Sequence, residues 1–323
     1  MDELRIVSYA SQNSDRQAEL RDALREFDAG VRIEFANTEE EACELLADAR
    51  VLLAHRLTPA MFKAAPHLRW VHLTSAGVER SLFKEFVESE VLLTNSRGMH
   101  ARPMAEWTLA GLLYWAQRFQ YVDEWRLSRD WKEPKRKMTT TRRTLYGLHA
   151  LVVGFGEVGK GISELLKANG LVVEAIATRP RKDVVEVFPM EQLEERLQEA
   201  DIVIIALPAT PKSIGLFNRR IFPLMKSGSV FVNIARGSIV DESDLISALK
   251  AGRPGYAILD VFAEEPLPGE SELFDLPNVF MTPHVSGNFP EYTHKVHEIF
   301  VENVLRFVEN RPLRFEVDKK RGY

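Results

Sequence analysis

Residues 149–161 read HALVVGFGEVGKG, and this short stretch decides the fold. An apolar run, Ala150–Val153, stops at Gly154, and a helical pattern, Val158–Asn169, opens directly behind Gly159. A strand that breaks on GxGxxG and feeds a helix is the setting of a dinucleotide turn. Gly154 permits the tight turn, Gly156 lets the backbone approach a pyrophosphate with no Cβ in the way, and Gly159 lets the helix pack close to the strand. The pyrophosphate then rests on the positive end of that helix, against Phe155, Glu157 and Val158 as well as the glycines.

Working outward, the same strand-then-helix rhythm runs both ways. Downstream, Val172–Ile176, Ile202–Ala206, Val230–Asn233, Ala257–Asp260 and Val279–Thr282 read as strands, with helical patterns at Met190–Glu199 and Asp244–Lys250 between some of them. Upstream, Arg5–Ser8, Arg32–Phe35, Val51–Ala54, Trp70–Leu73 and Val91–Thr94 form an earlier series. Sequential strands joined by helices run parallel with right-handed crossovers, so the first series predicts a small doubly wound sheet of flavodoxin-like type. Between the series, Met104–Trp125 has no turn residue after Gly111 and predicts one long, buried helix suited to a bridge or a subunit interface. After Gly287, the stretch Tyr292–Asn310 predicts an amphipathic helix with Val296, Ile299, Phe300, Val304 and Phe307 on one face. With 323 residues, at about 100–200 per domain, two domains with a cleft between them are expected.

The second strand after the glycine turn sets the cofactor. In NAD enzymes it ends in a carboxylate that accepts hydrogen bonds from the adenine ribose. Here LVVEAIATRPRKD ends in Thr178-Arg179, with Arg181 and Lys182 following, and guanidinium groups there pair with a 2′-phosphate. NADP(H) is therefore favoured over NAD(H), and Glu174, three residues early, is a poor ribose ligand.

Three phrases then begin at strand ends: NIARG at 233–237, LDVFAEEPLP at 259–268 and MTPHVSG at 281–287. Parallel α/β sheets bind their ligands at that edge. The phrases deliver Arg236, Glu265 and His284 together. Imidazole is the side chain that titrates near neutrality, so His284 is the natural acid in reducing a carbonyl and the base in the reverse direction. Glu265 on the other ring nitrogen would stabilise the imidazolium and fix the ring. Arg236 can hold a carboxylate and polarise a carbonyl with a fork that Lys lacks.

With these phrases in this order, the chain resembles the D-isomer-specific 2-hydroxyacid dehydrogenase family over nearly its whole length, and most of all the NADP-preferring glyoxylate/hydroxypyruvate and 2-ketoacid reductases. The resemblance implies an α/β protein of two doubly wound parallel-sheet lobes: a flavodoxin-like substrate domain, residues 1–98 and 288–323, and an inserted Rossmann dinucleotide-binding domain, residues 99–287. It makes Arg236, Glu265 and His284 the catalytic set. It gives the substrate carboxylate to backbone groups of Ser75-Ala76-Gly77-Val78 together with Arg236 and His284, and adds Leu207, Pro208, Ala235, Asp260 and Gly287 to the cofactor contacts. It further implies a homodimer built on the Rossmann domain and the helix after Gly98. The alternatives are a nucleotide-sensing corepressor-like module and an oxidising relative, a phosphite or formate dehydrogenase, against which Glu265 argues because the formate enzymes carry Gln there.

Composition bounds the partners. A formal charge of −5 gives no global attraction to nucleic acid or an anionic membrane, and Lys132, Lys135, Arg136, Lys137, Arg142 and Arg143 read as a solvated arm. The start MDELRIVSYA lacks a signal-peptide pattern and no run reaches a membrane span, so a cytoplasmic location is expected. Cys43 is alone and reads as filler. His55, His67, His72, His100, His149, His294 and His297 show no metal-ligand spacing, so no metal site is expected. His100, at the junction of the two series, and Trp131, a candidate to reach a neighbouring subunit's pocket, are the further residues to follow.

Overall fold

Val51–Ala54, buried at all four positions, is an uninterrupted apolar run because it lies inside a parallel sheet covered on both faces. The computed structural model describes residues 3–25 and 30–322, and the chain divides into two compact units. The first, Met1–Met99 with Phe289–Tyr323, holds β1 (Leu4–Tyr9), β2 (Val31–Phe35), β3 (Val51–Ala54), β4 (Trp70–Leu73) and β5 (Leu92–Asn95). All are parallel, in the order β2-β1-β3-β4-β5. One face packs Leu52, Val71 and Leu93 against Ala42, Leu46, Met61 and Phe86. The other packs Ile6, Leu53 and Trp70 against Leu20, Leu24 and the helix Tyr292–Val308, whose Val296, Phe300 and Val304 are buried. Trp70 stacks on Phe300 at 5.3 Å.

The second unit, His100–Asn288, holds β6 (His149–Val153), β7 (Val172–Ala177), β8 (Arg181–Lys182), β9 (Glu186–Pro189), β10 (Ile202–Ile205), β11 (Val230–Asn233), β12 (Tyr256–Leu259) and β13 (Val279–Met281). The order is β13-β12-β11-β10-β6-β7-β9-β8, with every neighbour parallel except the β8–β9 hairpin. The fold is α/β with parallel sheets in both units. The helix Ala101–Gln117 lies so close to β12 that a Cβ at Gly111 would come within 2.9 Å of Ile258. Among the described residues no helix is long and apolar enough to cross a membrane.

Two local expectations need correction, those of the helices over Met104–Trp125 and Met190–Glu199. The helix expected over Met104–Trp125 breaks at Arg118, which takes a left-handed conformation with φ 62° while its Nε donates to the Thr141 carbonyl. That cap needs no glycine because a distant carbonyl holds it, so nothing in the local sequence marks it. The next helix, Gln120–Ser128, has no buried residue. The basic stretch expected to be a solvated arm is exposed at Lys132, Lys135, Arg136, Arg142 and Arg143; Lys132–Thr141 is a helix, and Lys137 pairs with Glu124 at 2.7 Å. The helix expected over Met190–Glu199 is a 3₁₀ turn, Met190–Gln192, followed by the short helix Leu193–Leu197.

Candidate active site

The glycine turn has the mechanics its spacing requires. Gly154 has φ 110°, and a Cβ there would strike the Ala206 carbonyl and lie 2.7 Å from the Leu207 nitrogen. The left-handed turn and the close approach of the β10 end therefore both demand glycine. A Cβ on Gly159 would collide with the Gly154 carbonyl, whereas space above Gly156 is open to 4 Å. A cradle closed below and open above fits a pyrophosphate on the N-terminus of helix Glu157–Ala168.

Beyond β7, Thr178 and Arg179 are exposed, and Arg179 has no partner among the described residues. Arg181, in β8, reaches the glycine turn. Its Nη2 donates to the Phe155 carbonyl at 3.0 Å, and its guanidinium lies 5.0 Å from the Phe155 ring centre. Leu207 and Pro208 follow β10, and Pro208 accepts from the Ser213 hydroxyl at 2.6 Å. Glu174 is held inside the unit by His149 and Arg196, at 3.1 and 3.8 Å.

At the ends of β11, β12 and β13 the three phrases meet. Arg236 is half-buried, and its Nη1 donates to the carbonyl of buried Ala235. Gly237 follows, and a Cβ there would overlap the Phe262 carbonyl, so the two loops touch backbone to backbone. Glu265 accepts from the Phe262 N–H through Oε1 at 3.1 Å and binds His284 Nδ1 through Oε2 at 2.7 Å. Burial pushes the Glu265 carboxyl up. The hydrogen bonds from His284 and the Phe262 N–H, with the charges of His284 and Arg236, outweigh it and hold the group below its ordinary value. His284 is left 49% exposed, so its other ring nitrogen can meet a substrate.

His284 itself sits at φ 53°, a left-handed conformation that costs a non-glycine residue about 1–2 kcal/mol. Asp260 holds it there. This carboxylate is fully buried and accepts from the Thr282 hydroxyl at 2.5 Å, the Val285 N–H at 2.8 Å and the Ser286 N–H at 2.9 Å. Its backbone carbonyl accepts from the His284 N–H at 2.9 Å. From α/β sequence alone Asp260 looks like one more strand-end acid, and only the pairing of distant loops reveals its grip on the histidine. Gly287 lies beside His100, whose Cδ2 would be 3.0 Å from a Cβ there. Burial first and the Arg236 charge second push His100 down to about 4, so it is neutral.

In the first unit, Ser75-Ala76-Gly77-Val78 follows β4. The carbonyls of Ser75, Ala76 and Gly77 accept from the Ser96 N–H, the Asn95 amide and the Ser75 hydroxyl. No described residue accepts from the four N–H groups of this loop, an arrangement that suits an anion. Sequence reading missed Asp183 and Lys160, which pair with each other beside Arg181 at 3.1 Å. The acid directly after Arg181-Lys182 was the available signal.

Residues 109–286 match the model of the family described as D-isomer specific 2-hydroxyacid dehydrogenase, NAD binding domain. Over 265 residues the chain is 33% identical to a glyoxylate reductase of Pyrococcus furiosus, an alignment covering 79% of this chain and 77% of that one. It superposes on a D-isomer specific 2-hydroxyacid dehydrogenase of Xanthobacter autotrophicus, solved in complex with NADPH and MES, with a TM-score of 0.84 and 27% identity over 99% of this chain and 100% of that one. A family protein of Aeromonas salmonicida gives a TM-score of 0.85 at 29% identity, covering 98% and 100%.

Proposed function

The chain belongs to the D-isomer specific 2-hydroxyacid dehydrogenase family, and we propose that it reduces small 2-oxo acids, glyoxylate and hydroxypyruvate foremost, to D-2-hydroxy acids with NADPH. The observation that carries this reading is the 2.7 Å pair of His284 and Glu265, set with Arg236 at the sheet edge that also bears the glycine turn. When bound, the nicotinamide supplies the hydride. Charge then grows on the carbonyl oxygen, and His284 delivers the proton that this oxygen needs. Glu265 keeps the ring oriented and compensates its positive charge. Arg236 draws on the substrate carboxylate and the carbonyl. In the first unit, the N–H groups of Ser75–Val78, from which no described residue accepts, have the polarity to bind a carboxylate.

Arg179 and Arg181 are the groups proposed to meet a 2′-phosphate, in keeping with the NADPH-bound relative. Thr178, Leu207, Pro208, Ala235, Asp260 and Gly287 keep their proposed place around the dinucleotide, Asp260 acting from beneath the His284 loop. We also propose a cytoplasmic homodimer. Its support is the free thiol of Cys43, which suits a reducing compartment, and the exposed apolar side chains Phe119, Trp125, Leu127 and Trp131 around the helix Gln120–Ser128. Light scattering of the purified protein tests the dimer, and a monomer at micromolar concentration overturns it.

The test of the activity is consumption of NADPH and NADH in parallel across a panel of 2-oxo acids. Glyoxylate and hydroxypyruvate should be reduced, faster with NADPH at limiting cofactor. No turnover with any 2-oxo acid overturns the reading, and Arg179→Asp should erase the cofactor preference.

A further inference from the structure

On the reading that the cofactor is NADPH, we propose that Lys160 and Asp183 belong to the 2′-phosphate subsite: Asp183 is a counter-ion shared by Lys160 and Arg181, and both cations exchange it for the phosphate. Lys160 lies in the first turn of the helix Glu157–Ala168, immediately after the last glycine of the turn. Its Nζ is 3.1 Å from Asp183 Oδ1, while Arg181 Nε is 3.6 Å from Asp183 Oδ2. One carboxylate thus gathers an ammonium from the helix and a guanidinium from the hairpin at the corner where Arg179 also stands.

The geometry separates what is fixed from what can move. Arg181 is held at Nη2 by the Phe155 carbonyl and over the Phe155 ring, neither of which is charged, so its guanidinium stays at this corner when its Nε leaves Asp183. The hairpin is pinned independently by Lys167, whose Nζ donates to the Val184 carbonyl at 2.8 Å, and by the Asp183 N–H to the Val185 carbonyl at 3.0 Å. Both cations are partly open to solvent, 42% for Lys160 and 44% for Arg181, while Asp183 is more enclosed at 24%. The Val184 N–H also donates to Asp183 Oδ1 at 2.8 Å, so the carboxylate stays put when the cations turn outward. Three cations against one acid leave an excess of positive charge for a dianion, and the acid opposes that dianion across a short distance. Asp183 therefore lowers phosphate affinity, whereas a carboxylate that took the ribose hydroxyls of NAD would be free of such partners.

Titration calorimetry of the intact chain with 2′,5′-ADP and 5′-AMP, at low ionic strength, tests this without turnover. Lys160→Met should weaken 2′,5′-ADP by about fivefold, Lys160→Arg should restore it, and Asp183→Asn should tighten it by about threefold, with 5′-AMP moving less than about twofold. Added salt should shrink each difference. Melting temperatures close to the parent's establish that the variants are folded. An Asp183→Asn protein that binds 2′,5′-ADP more weakly makes Asp183 a positioning group and overturns the proposal, as does an unchanged Lys160→Met protein. Failure of the NADPH reading looks different: the parent itself would not distinguish 2′,5′-ADP from 5′-AMP, and Arg181→Met would leave both alike.

Discussion

His72 and His284 stand near the C-terminal ends of parallel strands, one in each unit, and their surroundings make opposite things of the same side chain. His72 is fully buried in β4. Its Nδ1 bonds the Thr94 hydroxyl at 2.7 Å and its Nε2 the Ser96 hydroxyl at 3.1 Å, while Trp70 donates to the same Thr94 oxygen. No described carboxylate faces it, and burial pushes it down to about 3, so the ring stays neutral. His284 is half open to solvent, held on one nitrogen by a carboxylate and on its backbone by a second acid from below. Hydroxyls satisfy an imidazole without supporting charge, whereas a carboxylate supports the protonated form that a reduction consumes.

The largest expected effect breaks the comparison at its active member. His284→Gln removes the proton carrier but no proposed cofactor contact, so turnover of glyoxylate should fall about 10³-fold while NADPH affinity by fluorescence titration stays near the parent's. Parental turnover would place the proton source elsewhere.

Glu265→Gln asks how much of the contrast rests on the carboxylate. It should cost about 10–100-fold, the range for a group that orients and charges a reacting side chain. The loss should also depend on pH. With the carboxylate gone nothing compensates the positive ring, so the loss should be full above about pH 4.5 and shrink as pH falls through the lowered Glu265 value. A uniform loss at every pH would mean that Glu265 only orients the ring. In the parent the Glu265 carboxyl is held below its ordinary value, so this pairing contributes fully above about pH 4.5 and is lost as pH falls through the lowered value.

The buried member yields a stability effect. Its folded value of about 3 lies below that of an unfolded histidine, so the unfolded chain binds a proton that the native chain refuses. Stability is therefore lost as pH falls below about 6.5, at about 1.4 kcal/mol per pH unit from this group until the folded value is reached. His72→Gln should cost about 1–3 kcal/mol at pH 7 and lose less on acidification to pH 5, as read from urea midpoints. Equal acid sensitivity in parent and variant would assign the slope to His100 and His297, both also lowered by burial.

How much of this was legible follows from where each constraint lives. The strands Val51–Ala54, Trp70–Leu73 and Val230–Asn233 fall where the pattern puts them, because buried parallel strands are apolar runs bounded by turns. Gly154 and Gly159 are legible because backbone clashes select glycine within a few residues. The grip of Asp260 on His284, the left-handed Arg118 and the hairpin that brings Asp183 to Arg181 are not, since each depends on a loop distant in sequence or on strands too short and charged to show a period.

The smallest expected effect gives the comparison a third histidine of opposite sign. His294 on the helix Tyr292–Val308 bonds Glu19 through Nδ1 at 2.6 Å and pairs with Glu298 through Nε2 at 3.1 Å, bridging to the helix Ser14–Arg25. Lys295, Arg16 and His297 also lie around this seam. The hydrogen bond to Glu19 outweighs slight desolvation, and with the charges of Glu19 and Glu298 it raises the His294 value above that of the unfolded chain. Its contribution is thus complete below about pH 6.5 and lost as pH rises through the raised value, the reverse of His72. Because the ring is exposed, water and salt screen the pair. His294→Gln should therefore lower the urea midpoint slightly at pH 6, leave it unchanged at pH 8.5, and show no difference at either pH in high salt. A difference that persists at pH 8.5 would mean that the ring acts by packing between the two helices, and the charge account of this seam would fall.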